Sequence, residues 1–172
     1  SSDVCSSDLK TICNGCNYAH KLRNILKRTC PFCRHPAPKS DAEWELNLMK
    51  RVEKNDPVAM TQMGIMRYDE GDYSSAFEYY TKAAALGELD AHAKLACLYY
   101  GGKGVEKDEK KAVYHLEEAA IGGLSYARHH LAIIEMENGR PERAVKHLII
   151  AANMGFEDSM KELWKCYAGG YI

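Results

Sequence analysis

Apolar and small residues recur along most of this chain with a helical beat, and a longer period is laid over it. In "DPVAMTQMGIMRY", "LDAHAKLACLYY", "SYARHHLAIIEM" and "EDSMKELWKCYA" they fall three and four positions apart, which gathers them on one face of an α-helix. Aligned, Ala59, Ala91, Ala127 and Ser159 stand at steps of 32, 36 and 32 residues, and Met63, Leu95, Leu131 and Leu163 keep those steps. A second set follows in "SSAFEYYTKAAALG", "KKAVYHLEEAAIGG" and "ERAVKHLIIAANMG". There Ala76, Ala112 and Ala144 stand 36 and 32 apart, and Gly87, Gly123 and Gly155 close the segments. Each unit predicts helix, turn, helix, with small residues where helices approach and glycine where the second helix ends. One hairpin cannot bury its own apolar face, so neighbours must stack into a solenoid. The alternation expected of strands is absent from the repeats. The expected fold is all-α: a solenoid of helical hairpins over residues 56–172, three repeats and a truncated fourth.

The middle unit, "AHAKLACLYYGGKGVEKDEKKAVYHLEEAAIGG", resembles a Sel-1-like repeat, a relative of the tetratricopeptide repeat with a longer, Gly-rich inner turn. That resemblance implies an adaptor that works by binding other proteins. It places Gln62, Lys94, His130 and Glu162 on the groove side of the first helices, with Ile65, Cys97, Ile133 and Lys165 a turn further on. Each of these positions reads equally well as solvated or packed. The fourth copy runs into "AGGYI" after its first helix, so an exposed apolar face is expected there.

Residues 40–55 form a joint. Ser40-x-x-Glu43 is a capping box opening a helix, and Trp44, Leu48, Met49 and Val52 recur at helical spacing to pack on the first repeat. Trp44 reads as core rather than as a binding anchor.

Charge and cysteine change the picture upstream. The whole chain carries a net charge of -1. From Leu9 to Lys39, however, there are seven Lys or Arg residues and no Asp or Glu, against sixteen basic and twenty-two acidic residues from Ser40 onward. Residues 10–39 hold two Cys-x-x-Cys pairs, Cys13/Cys16 and Cys30/Cys33, with thirteen residues between them. That spacing lets two thiolates at a tight knuckle grip one tetrahedral zinc at about 2.3 Å. Between the pairs, Tyr18, Leu22, Ile25 and Leu26 suggest a short amphipathic helix. The expected cofactor is zinc. The opening "SSDVCSSDL" resembles a mistranslated sequencing adapter, so residues 1–9, and Cys5 with them, are expected to be a non-native leader.

"TICNGC … CPFCRHPAP" resembles the second half of a RING finger. The resemblance implies two half-sites, Cys13/Cys16 on one zinc and Cys30/Cys33 on another, in a partial, incomplete module. The competing four-cysteine ribbon closes a single site. A RING finger also implies a ubiquitin ligase in the parent protein, with Pro31, Phe32 and Arg34 touching a ubiquitin-conjugating enzyme and its ubiquitin. Catalysis there is positioning and electrostatics, with no catalytic nucleophile on the ligase. This chain departs from the pattern at His20, where a large apolar residue is usual, and it lacks the first ligand pairs. The fragment as written is therefore expected to be inactive. The expected partners are proteins: the conjugating enzyme and one bound by the repeats. The alternative is a pure repeat scaffold with a structural zinc knuckle.

Other classes fit less well. The basic finger has no aromatic stacking ladder, which argues against nucleic acid. "GGKGVEK" lacks the preceding strand and spacing of a phosphate loop. The histidines of the repeats, His92, His115, His129, His130 and His147, read as surface or groove residues, and His20 and His35 as non-ligands. No apolar run approaches the roughly 18 residues of a membrane span. Metal thiolates point to a reducing compartment, so a cytoplasmic or nuclear protein is expected.

Overall fold

The structure, a computed structural model, describes residues 2–4, 11–13 and 40–170. Eight helices follow one another among the described residues: α1 (Asp41–Val52), α2 (Pro57–Asp69), α3 (Tyr73–Ala85), α4 (Leu89–Gly101), α5 (Glu109–Ile121), α6 (Ser125–Glu137), α7 (Pro141–Asn153) and α8 (Glu157–Ala168). They form an all-α solenoid of helical hairpins, each helix packing chiefly on its neighbours in the chain. The solenoid contains no strand. Outside it, β1 (Ser2–Val4) pairs antiparallel with β2 (Thr11–Cys13) in the register Ser2↔Cys13, Asp3↔Ile12, Val4↔Thr11. Strand structure was not expected there, and the pair joins the expected leader to the start of the cysteine-rich stretch.

Local chemistry starts the helices where the sequence places them. The Ser40 hydroxyl accepts from the Glu43 amide at 3.2 Å, which is the forward half of the expected capping box. Asp56, Asp72 and Asp108 cap α2, α3 and α5 by accepting from the amides of Val58, Ser75 and Lys111. Pro57 and Pro141 occupy first-turn positions, where their missing amide costs no hydrogen bond. The second helices of the repeats run into Gly87, Gly123 and Gly155, all with positive φ, which spares these turns the strain a Cβ would bring.

The registers seen in the sequence are the packing registers. Ala59, Ala91, Ala127 and Ser159 are fully buried, as are Ala76, Ala112 and Ala144. Their methyl-sized side chains let first and second helices approach closely, and larger residues fill the space between layers. Tyr80, Leu95 and Leu98 form one such cluster, and Leu116, Leu131 and Ile134 another. At the front, Leu48 of α1 packs with Ala59 and Met63, flanked by Trp44, Val52, Met66 and Tyr79. Trp44 is thus a packed residue. Met49 is not: it is exposed, because the buried stripe of α1 passes through Leu48 and Val52 and leaves Met49 turned away. Arg67 ties α2 to α1 by pairing with Glu45, and pairs at the end of its own helix with Glu70.

The middle repeat alone has a long inner turn, residues 102–108, against three residues in the repeats on either side. Gly104 has φ 69°, and a Cβ there would stand 2.7 Å from the Tyr73 backbone, so only glycine lets the turn lie this close to α3. Lys103 fastens the turn, donating to the Tyr68 hydroxyl at 2.6 Å while lying over the Tyr68 and Tyr73 rings.

Candidate protein-binding face

Three first helices of the repeats, α4, α6 and α8, are joined along the array by side chains that leave the hydrophobic layer. The Tyr126 hydroxyl on α6 donates to Asp90 on α4 at 2.8 Å. Tyr100 of α4 donates to Glu137 of α6, so the same two helices are bridged near both ends. Between α6 and α8, Nδ1 of His129 lies 3.0 Å from the Ser159 hydroxyl, and its ring packs on Phe156. Burial first, and then the Asp90 carboxylate, hold the Tyr126 hydroxyl well above its ordinary range; the bond to Glu137 pushes Tyr100 up to about 12. Both phenols stay protonated across the physiological range and remain donors.

The eight residues expected on the groove side occupy varied environments. Gln62 is half-buried, and its Oε1 has no protein partner among the described residues. Lys94 is half-buried and Ile65 packs on the first core cluster. Cys97 is an exposed free thiol and Ile133 is exposed. His130 is exposed, with its ring edge-on to Tyr126 at 6.1 Å. Glu162 and Lys165 pair with each other at 2.6 Å on α8, one turn apart. The structure therefore brings Tyr126, His130 and Asp90 together, whereas Glu162 and Lys165 form a pair of their own further along the array. Asp90 and Tyr126 were not foreseen. Their equivalence at a step of 36 residues was visible, but an Asp and a Tyr at one repeat position carry no sign that they meet.

Of the cysteine-rich module, only the backbone of β2 (Thr11–Cys13) is described, and Cys13 is its one cysteine there. Cys16, Cys30 and Cys33, like Pro31, Phe32 and Arg34, lie outside the described residues, as do His20 and His35. Among the described residues no three His, Cys, Asp or Glu side chains cluster to hold a metal. The described helices include none long and apolar enough to cross a membrane.

At the far end, Trp164, Tyr167 and Met160 of α8 are exposed and line a shallow apolar groove with Leu163. An exposed apolar face was the expectation for this segment.

The description "Sel1 repeat" matches three consecutive segments, residues 57–88, 89–124 and 125–156, each spanning one helical hairpin. The chain belongs to the Sel1 repeat family. Among solved structures, it is similar to a Sel1 repeat protein from Oxalobacter formigenes, with a TM-score of 0.68 and 33% identity over 77% of this chain and 57% of that one. It shares its fold, at 22% identity and a TM-score of 0.65, with c5321, a protective antigen of uropathogenic Escherichia coli; that match covers 76% of this chain and 30% of the antigen. Curated relatives are the alginate biosynthesis protein AlgK of Pseudomonas syringae pv. tomato and the putative beta-lactamase HcpC of Helicobacter pylori. The first is 30% identical over 67% of this chain and the second 38% over 35%. The chain spans only 26% and 21% of the lengths of these two curated relatives.

Proposed function

We propose that this chain is a protein-interaction scaffold whose Sel1 repeats hold a protein partner along the first helices. The observation that carries this reading is the bridging of α4 to α6 at both ends, by Asp90 with Tyr126 and by Tyr100 with Glu137. Those bridges brace successive repeats, and a braced surface loses little conformational freedom on binding. Gln62, Lys94, His130 and Glu162 are the groove residues of this proposal.

Photo-crosslinking tests it. A photoreactive residue at His130 or Ile133 of the full-length protein, in its own cells, is expected to give a discrete crosslinked protein. The same group at Glu118, exposed on α5, is expected to give none. Equal labelling from all three positions contradicts the reading.

The finer proposal assigns zinc to Cys13, Cys16, Cys30 and Cys33, and to the parent protein a RING-type ligase activity in a cytoplasmic or nuclear setting. The spacing of the two Cys-x-x-Cys pairs supports the metal; the likeness to the end of a RING finger supports the activity. Under that reading, Arg34→Ala in the parent abolishes discharge of ubiquitin from its conjugating enzyme.

A further inference from the structure

His92 on α4 and His115 on α5 lie 23 positions apart in the chain and meet with Nδ1 atoms 3.1 Å apart. We propose that these two imidazoles form a bidentate site for a divalent first-row transition metal of the copper, nickel or zinc kind.

The distance suits chelation. With metal–nitrogen bonds of about 2.05 Å, two nitrogens 3.1 Å apart subtend roughly 98° at the metal, between the square-planar and tetrahedral angles. Bringing both lone pairs onto one ion takes a turn chiefly of the His92 ring, whose second torsion has a broad well, while His115 stays stacked on Tyr99. Without metal, one Nδ1 carries a proton shared toward the other. On binding, that imidazole moves its proton from Nδ1 to Nε2, so both Nδ1 lone pairs are free and no proton is lost from the neutral pair.

The surroundings hold the pair in place. His115 is stacked on Tyr99 at 5.7 Å with an angle of 9° between rings, and Tyr114 meets it edge-on at 5.2 Å. Tyr99 is braced in turn by Phe77 and covered by the Lys111 ammonium. Both backbones are set by buried neighbours, Ala91 and Ala93 beside His92, and Ala112 and Leu116 around His115. The remaining coordination positions belong to water, since no third protein ligand clusters there among the described residues.

The repeat itself does not require histidines at these places. The equivalent positions hold Met60 and Tyr79 in the first repeat and Arg128 and His147 in the third. The scaffold tolerates each combination, and only the middle repeat aligns two ligating nitrogens.

Nickel titration of the full-length chain tests the site. The parent is expected to bind one more equivalent of nickel than His92→Gln or His115→Gln, while His147→Gln binds as the parent does. Nickel held by the cysteine-rich stretch is common to all four proteins and cancels in the comparison. Should a glutamine variant misfold, imidazole NMR of the parent decides: paramagnetic nickel at less than one equivalent broadens the two coupled rings first. Equal stoichiometry in folded His115→Gln and parent, or broadening spread evenly over the seven histidines, overturns the proposal.

Discussion

Asp56 carries two duties with one side chain. Its Oδ1 caps α2 through the Val58 amide, and its Oδ2 accepts from Arg51 Nε at 2.6 Å, both partners of that ion pair being buried. Asp56→Ala removes the cap and leaves a buried guanidinium with no counter-charge, an expected loss of about 3–5 kcal/mol dominated by the orphaned charge. Asp56→Asn keeps an oxygen for the cap and so separates the two parts, since a neutral amide restores about 1 kcal/mol of capping. Urea denaturation of the two variants measures the difference; equal losses would show that capping contributes nothing here. An Asp before a Pro at a helix start is a local cap signal, although only the Ser40 cap was expected from the sequence. The ion pair was hidden, because Arg51 sits in another helix, and nothing in "KRVEKND" marks its second basic residue as the buried one.

The hairpin of α4 and α5 sets the pH response. His115 is held at about 4, below its ordinary 6.5, by burial and by His92; Tyr99 and Tyr114 also face it, and Lys111 lies over Tyr99. The sign follows from linkage. As pH falls, the unfolded chain takes up this proton before the folded one, so the neutral ring contributes stability that is whole above about 6.5 and is lost between 6.5 and 4. His147 is depressed as well, burial being the first cause, and adds a slope of the same sign. Thermal melts at pH 7 and pH 5 are expected to show a smaller drop in midpoint for His115→Gln than for the parent. Helical periodicity located α4 and α5 and the glycine-rich turn between them. It did not reveal the meeting of His92 with His115, which depends on how the seven-residue turn from Gly102 to Asp108 sets one helix against the other.

Across the whole molecule, the array is quasi-one-dimensional, each helix stabilised chiefly by the one before and the one after. Among the described residues, α8 packs on the helices before it and is covered on one side only. Ser159 and Cys166 of α8 are buried against the preceding helices, while Trp164 is 71% exposed. Trp164→Gln is accordingly expected to change global stability by no more than about 0.5 kcal/mol in thermal denaturation. A larger loss would mean that this end of the array is packed in solution.

The repeat period, the helix starts at Ser40, Asp56, Asp72 and Asp108, and the small residues at the helix contacts were all determined by the sequence, because they obey rules of local geometry or short periodic spacing. The bridges from Asp90 to Tyr126 and from Tyr100 to Glu137, the His92–His115 pair and the burial of Arg51 were decided by tertiary structure alone. Each depends on the angle and offset between helices, and those are set by how alanine-sized contacts seat one helix on the next, which no local pattern in the chain records.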